Sequence, residues 1–147
     1  ELECPQIHLL RVEGAIYFGA VNHVTNYLQQ LEERWPDQKH LLVMSKSMNF
    51  VDVAGAEVLA GEVRRRRALG GDVYFHGLRD DAIAMLSRPP YADVLGPGTR
   101  FTTKHEAIAT LFQRLDRGIC AQCRARIFEE CARLPPPVAH DTAVPER

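Results

Sequence analysis

Two short apolar runs with a long helical stretch between them constrain this chain more than any other feature. His40–Met44 (HLLVM) and Asp72–His76 (DVYFH) have the length and apolar density of buried strands. A helical stretch begins near Asp52, runs to Leu69 and meets Gly70-Gly71, a C-terminal stop signal. Strand, helix and strand in that order form a crossover unit, and strands joined by a helical crossover lie parallel.

The alternation continues on both sides of this unit. Ile7–Val12 and Ala15–Phe18 are apolar runs separated by Glu13-Gly14, so they are expected to form a hairpin. Val24, Tyr27, Leu28, Leu31 and Trp35 recur at spacings of three and four, the stripe of a first helix, which Pro36 ends. After the central unit, Asp80 or Asp81 is placed to cap a third helix carrying Ile83 and Leu86 and stopping before Pro89-Pro90. Val94-Leu95 and Arg100–Thr102 flank a turn at Gly96-Pro97-Gly98. Thr103 and Glu106 then have capping-box spacing ahead of a fourth stripe, Ile108, Leu111, Phe112 and Leu115.

The predicted order is β-β-α-β-α-β-α-β-α. It implies an α/β sandwich in which a mixed, mostly parallel sheet is flanked by about four helices. Residues 1–6 form a linker, 7–116 the domain and 117–134 a helical extension. Residues 135–147 (PPPVAHDTAVPER) form a proline-rich polar tail expected to be disordered.

Composition narrows the function. Hydrophobic residues make up 46% of the 147, enough for a core, and the net charge of −1 gives no basic footprint for nucleic acid. No apolar run approaches the roughly 20 residues of a membrane span. The opening ELECPQIHLL has no basic n-region, and a chain starting at Glu1 fits a piece of a longer protein or a processed one. Of the four cysteines, three cluster near the end, which is no disulfide framework of a small secreted domain. They are expected to be reduced thiols in a cytosolic compartment. The six histidines are scattered, and no H-E-x-x-H, G-x-S-x-G or G-x-x-x-x-G-K occurs. No nucleophile, base and orienting group can be assembled, so the chain is not expected to be an enzyme or to need a cofactor.

The informative segment is Met48–Leu59, MNFVDVAGAEVL. It leaves a strand, turns and starts a helix whose first N–H groups need acceptors. Asp52 is placed to supply one as N-cap, and Ala54 and Gly55 let the backbone turn closely. Asn49, Asp52, Val53, Ala54 and Gly55 are therefore the expected contact point, with capping the minimal role of Asp52.

This order, with the turn Asn49-Phe50-Val51-Asp52-Val53-Ala54-Gly55-Ala56, resembles the STAS domain family over roughly Ile7 to Arg114. Gly14-Ala15-Ile16-Tyr17-Phe18-Gly19-Ala20 is similar to the second strand of its transporter branch. Val73–Leu78, followed by a helix and Phe101-Thr102-Thr103, is similar to its closing strand-helix-strand-helix. The family includes antagonists of anti-sigma factors and the cytoplasmic C-terminal domain of SulP-type anion transporters. Antagonists carry a phosphorylatable serine just before the turn glycine. Ala54 stands there and Val53 beside it, neither with a hydroxyl, while Ser45 and Ser47 lie upstream in a loop.

The resemblance therefore implies a non-catalytic regulatory and interaction domain of a SulP-like transporter for sulfate, bicarbonate or a related anion. It would lie on the cytoplasmic face of the inner (plasma) membrane as part of an integral membrane protein. Its partners would be the membrane domain of the same chain, a second copy of itself, or a small acidic carrier or signalling protein. The alternative is a stand-alone signalling protein of the antagonist type.

Two further motifs have competing readings. Arg64-Arg65-Arg66-Arg67 lies where cations complement a helix C-terminus, with Glu62 four residues before Arg66. A solvated face is expected, with anionic headgroups or an acidic partner as the other reading. Cys120, Cys123 and Cys131 invite a metal or redox reading. If Ile119–Leu134 were one helix, these cysteines would share a stripe with Ile127 and Leu134. Cys120 and Cys131 would then stand about 16 Å apart, too far for one ion. A packed, metal-free stripe is the expectation on that premise.

Overall fold

The structure is a computed structural model that describes residues 3–16 and 21–137. Its elements are β1 (Ile7–Arg11), β2 (Gly14–Ile16), α1 (Val21–Arg34), β3 (His40–Met44), β4 (Met48–Val51), α2 (Val53–Ala68) and β5 (Asp72–His76). There follow α3 (Asp80–Leu86), a 3-10 turn (Ala92–Val94), β6 (Arg100–Phe101), α4 (Lys104–Gln113), α5 (Arg117–Gln122) and a 3-10 turn (Glu129–Arg133). Tyr17–Ala20 and the tail from Val138 lie outside the described residues, and with them the end of the expected second strand and most of the expected disordered tail.

The α/β sandwich is present, with two changes in its strands: the opening hairpin is absent, and residues Met48–Val51 form a strand, β4, where a turn was expected. Four strands run in the order β1-β3-β5-β6, every neighbour parallel. The expected β1–β2 hairpin does not form. After Arg11 the chain keeps following β3, with Val12 N–H donating to the Met44 carbonyl at 3.2 Å. It then steps across Glu13 so that β2 pairs with β4, also parallel, in a second small sheet with a register shift at Gly14/Ala15. The reason lies in β3. Leu41, Leu42 and Val43 are at most 1% exposed, so this strand needs both faces and both edges covered, and β1 takes one edge.

Side-chain alternation sorts the core into two layers. Leu41, Val43, Val73 and Phe75 face α1, α2 and α3, where Leu28, Leu31, Ala56, Leu59, Val63, Ala82 and Leu86 cover them. Leu42, Tyr74, Ile7 and Phe101 face the other way, onto Ala107, Ile108, Leu111, Leu115 and Cys120. The segment after α4 is thus part of the core.

α2 is closed at its far end by a Schellman motif. Gly71 N–H reaches the Arg66 carbonyl at 2.9 Å and Gly70 N–H the Arg67 carbonyl at 3.1 Å, with Gly70 at φ 88°. Gly71 is also obligatory sterically, since a Cβ there would sit 1.9 Å from the Lys39 carbonyl oxygen.

Arg66 turns inward out of the arginine run and its neighbours Arg65 and Arg67 are half-buried, which corrects the expectation of a wholly solvated face. Arg66 is 1% exposed. Its Nε donates to Glu62 Oε1 at 2.6 Å and its Nη1 to the Gln38 carbonyl at 3.0 Å. Arg65 also reaches Glu62, at 2.7 Å, and Glu32 of α1 at 3.5 Å. Arg67 holds Asp72 at 3.0 Å and the Asp93 carbonyl at 2.6 Å. The charge of Arg65, Arg66 and Arg67 is matched by Glu62, which is buried, and by acceptors nearer the surface at Glu32, Asp72 and Asp93.

Burial pushes the Glu62 carboxyl up, but hydrogen bonds from Arg65 and Arg66 outweigh it and hold it below the ordinary value. Its contribution to stability is therefore present above pH ~4.5, the unfolded value, and lost as pH falls through the lower folded value. Glu62→Gln should cost about 3 kcal/mol in chemical denaturation at neutral pH, because Arg66 is left buried without its anion. Glu62→Leu with Arg66→Met should recover most of that loss. An additive double variant would count against the pair.

Candidate functional site

The β4–α2 junction is built from a buried stem and an exposed tip. Ser45 follows β3 and is fully buried. Its hydroxyl donates to the Val43 and His76 carbonyls, each at 3.1 Å, and its N–H to His76 O at 2.9 Å. Ser45 is thus a structural pin, whereas Ser47 is exposed. Met48 and Val51 point inward at 0% and 3% exposure, while Phe50 between them is 49% exposed.

Asp52 has extended backbone (φ −94°, ψ −176°) and caps α2, accepting the Gly55 N–H at 2.8 Å. Its carbonyl accepts Ala56 N–H at 2.8 Å, the first turn of the helix. Gly55 and Ala56 are buried, Ala54 is half-buried and Val53 is 57% exposed. The turn is shorter than expected, because Asn49, Phe50 and Val51 belong to β4, where their backbone pairs with β2. The exposed side chains flanking the cap are Phe50 and Val53. The sequence pattern does not single out Phe50, because residues 48–51 read as the approach to a turn and not as the strand β4 that turns this side chain outward.

A cleft of about 670 Å³ opens at the same, carboxyl end of the sheet, lined by Gly77, Leu78, Ile83, Leu95, Arg100 and Phe101 among others. Gly77, at φ 67°, turns the chain out of β5 to form its floor. The α3 beside it is not capped by Asp80 or Asp81, as expected. Arg79 is the N-cap residue and the two aspartates occupy the first turn, where their charge meets the helix dipole.

Of the four arginines expected as a basic contact, Arg65, Arg66 and Arg67 are engaged internally as described above, and Arg64 is exposed. They do not assemble one basic surface.

The single C-terminal helix is also corrected. α5 ends at Gln122. Cys123 is extended (φ −68°, ψ 129°), Arg126 sits at φ 40°, and a 3-10 turn follows at Glu129–Arg133. Cys120 and Cys131 are buried, Cys123 is half-buried and Ile127 is 42% exposed, so no common stripe exists. Asp116 caps α5 through Gly118 N–H at 2.8 Å, and the helix is too short to carry the stripe onward. The sequence reading also left out Cys4, which packs in the same cluster as Cys120. Its cue was the pairing of a lone N-terminal cysteine with a distant C-x-x-C.

The family model for the STAS domain matches residues 3–107. Among solved structures, the chain is similar to a sulfate transporter family protein from Wolinella succinogenes, with a TM-score of 0.62 and 18% identity over 74% of this chain and 86% of that one. It is similar to the anti-sigma factor antagonist SpoIIAA in its unphosphorylated form, with a TM-score of 0.63 and 15% identity over 79% and 96% of the two chains. It is similar to the murine anion transporter Slc26a9, with a TM-score of 0.60 and 14% identity, over 76% of this chain but 18% of that one. No curated protein matches in sequence.

Removing the cap should loosen the tip without unfolding the domain. Asp52→Ala is expected to lower stability by about 1 kcal/mol in chemical denaturation, and Asp52→Asn by a few tenths. Equal losses for the two would show that the charge, and not the cap, is what matters.

Proposed function

The chain belongs to the STAS domain family, and from that premise we propose that it is the regulatory, protein-binding part of a SulP-like inorganic anion transporter, of the sulfate or bicarbonate class, with no catalysis of its own. In this reading it works at the cytoplasmic face of the inner (plasma) membrane, covalently continuous with the membrane domain it regulates.

The observation that carries the reading is the composition of the α2 tip. Ala54 occupies the place where an antagonist presents its serine hydroxyl, and Val53 and Ala54 have no oxygen to accept a phosphoryl group. The tip instead exposes Phe50 and Val53 on either side of Asp52. Two apolar side chains around a satisfied helix cap suit a partner surface with an apolar centre and a polar rim. The partner assigned to it is the membrane domain of the same chain. A second copy of the domain, or a small acidic carrier or signalling protein, suits other faces. The net charge of −1 gives no support for nucleic acid.

A second reading keeps the antagonist class. It rests on the likeness to SpoIIAA, which spans nearly all of that chain. A domain of this class would bind a kinase-like partner through the same α2 tip, without the phosphorylation switch.

The two readings separate in one experiment on the full-length protein. Phe50→Asp and Val53→Asp should each lower anion uptake several-fold while membrane level and the melting temperature of the isolated chain stay near wild type. Unchanged uptake by both variants would remove the transporter reading of the tip. Binding of an anti-sigma-type kinase by the isolated chain, lost in Phe50→Asp and Val53→Asp, would favour the antagonist class.

A further inference from the structure

A free edge of the main sheet lies at β6, the last strand in the order β1-β3-β5-β6. Phe75 N–H donates to the Thr99 carbonyl at 2.7 Å and Gly77 N–H to the Phe101 carbonyl at 2.8 Å. In a parallel ladder alternate residues of a strand bond to one neighbour. Thr99 and Phe101 therefore face β5, and the N–H and carbonyl of Arg100 between them point off the sheet. Among the described residues nothing bonds either group. Arg100 is exposed, so both are open to solvent. Such a pair of unmatched backbone groups is a template for another strand.

The edge is held firm from behind. Thr99 is 1% exposed, and its hydroxyl donates to the Gly96 carbonyl at 2.6 Å, closing the turn in which Gly98 sits at φ 69°. Phe101 is buried in the cluster that contains Ala107, Ile108 and Leu111. A strand fixed in this way needs no reordering to accept a second one, which lowers the cost of association.

Side-chain alternation supplies the rest of the surface. Phe101 turns toward α4, so Arg100 turns to the opposite face, toward α3. There it lines the cleft of about 670 Å³ together with Leu78, Ile83 and Leu95. Among the described residues that line this cleft, Arg100 is the only charged one. Its guanidinium makes no hydrogen bond or ion pair with any described residue, in contrast to Arg65, Arg66 and Arg67. An open backbone edge, an apolar cleft and an unmatched cation thus adjoin at one residue.

We propose that β6 and this cleft bind an extended segment of a partner protein by strand addition. The backbone of the segment meets the N–H and carbonyl of Arg100. One of its apolar side chains enters beside Leu78, Ile83 and Leu95, and an acidic side chain pairs with the Arg100 guanidinium. Side chains on one face of a strand are two residues apart, so the partner carries its acid two residues from its apolar anchor. β6 offers a single outward pair of backbone groups, so the cleft and the charge set the specificity. This surface shares no residue with the α2 tip and stands whichever reading of that tip holds.

The test is NMR titration of the isotope-labelled 147-residue chain with the blocked peptide acetyl-Thr-Glu-Thr-Leu-Thr-Glu-Thr-amide, which places an acid two residues to either side of the apolar anchor. The expected result is a set of amide shifts centred on Leu78, Ile83 and Arg100, with slowed hydrogen exchange at the Arg100 N–H. Replacing both glutamates of the peptide by lysine should weaken binding about tenfold, and Arg100→Glu should reverse that preference. Arg100→Pro removes the outward N–H and leaves the bonds to β5 in place, as at an edge strand. It should melt close to Arg100→Ala and bind the peptide several-fold more weakly. Methylation of alternate backbone nitrogens in the peptide tests the same bonds even if Arg100→Pro fails to fold, and should also weaken binding several-fold. Equal binding of peptides methylated in either register would show a cleft that takes side chains without strand addition, and would overturn the proposal. So would unmoved β6 amides at millimolar peptide, or shifts confined to β1 at the other edge of the sheet.

Discussion

The rest of this structure depends on the need of two strands, β3 and β5, to be buried on both faces. Leu41 and Val43 look one way and Leu42 the other, as do Val73 and Phe75 against Tyr74. The strand order β1-β3-β5-β6 follows the chain without reversal. Crossovers of one hand then place α1, α2 and α3 on a single face. The second face has to be covered by chain that comes after β6. α4 covers part of it, and Leu115 and Cys120 complete it with Phe128 and Leu134 packed alongside. The segment after α4 is therefore required by sheet topology. Nothing comparable is needed on the first face.

The same topology explains what could be read in advance. β3 and β5 were legible to the residue because a parallel strand buried on both sides is an unbroken apolar run. The capping of α2 by Asp52 and its stop at Gly70-Gly71 were legible because caps are local chemistry. The β1–β2 hairpin was misread because a turn signal at Glu13-Gly14 says where a chain bends but not which edge it joins. That choice belongs to β3, 33 residues further on in the register Ile7↔His40. Spacing likewise suggested one helix over Ile119–Leu134, yet Cys123 and Arg126 break it. An apolar spacing survives a broken helix when its members turn to different parts of the same cover.

At the candidate site, the position of Asp52 was legible and the exposure of Phe50 was not. A strand aromatic is ordinarily core, and its outward position follows from the two-stranded β2–β4 ladder, which no local pattern announces. The arginine run shows the converse error. Four consecutive cations look like a solvated face, but a helix of 3.6 residues per turn sends four successive side chains in four directions. One of them, Arg66, must point at the sheet. It is tolerated there because Glu62 lies one turn earlier and the Gln38 carbonyl lies within reach.

These contacts divide the molecule along the strand axis. At the amino end, Arg66 holds Gln38, Gln38 donates to the Cys4 carbonyl at 2.8 Å, Gln6 holds Asp116, and Gly71 lies against Lys39. The first three join segments distant in sequence through buried or half-buried polar bonds and the last through close backbone approach, so that end resists local opening. At the carboxyl end, the exposed Phe50 and Val53 flank a helix start, and a cleft lies between β5, α3 and β6. A partner that docks at the carboxyl end therefore meets a tip whose backbone is fixed from behind. It can bury apolar area there without unfolding the element that presents it, and the ordering cost of association falls accordingly. Under the proposed role, the polar network at one end would hold the domain firm while the small apolar tip at the other serves as the contact surface.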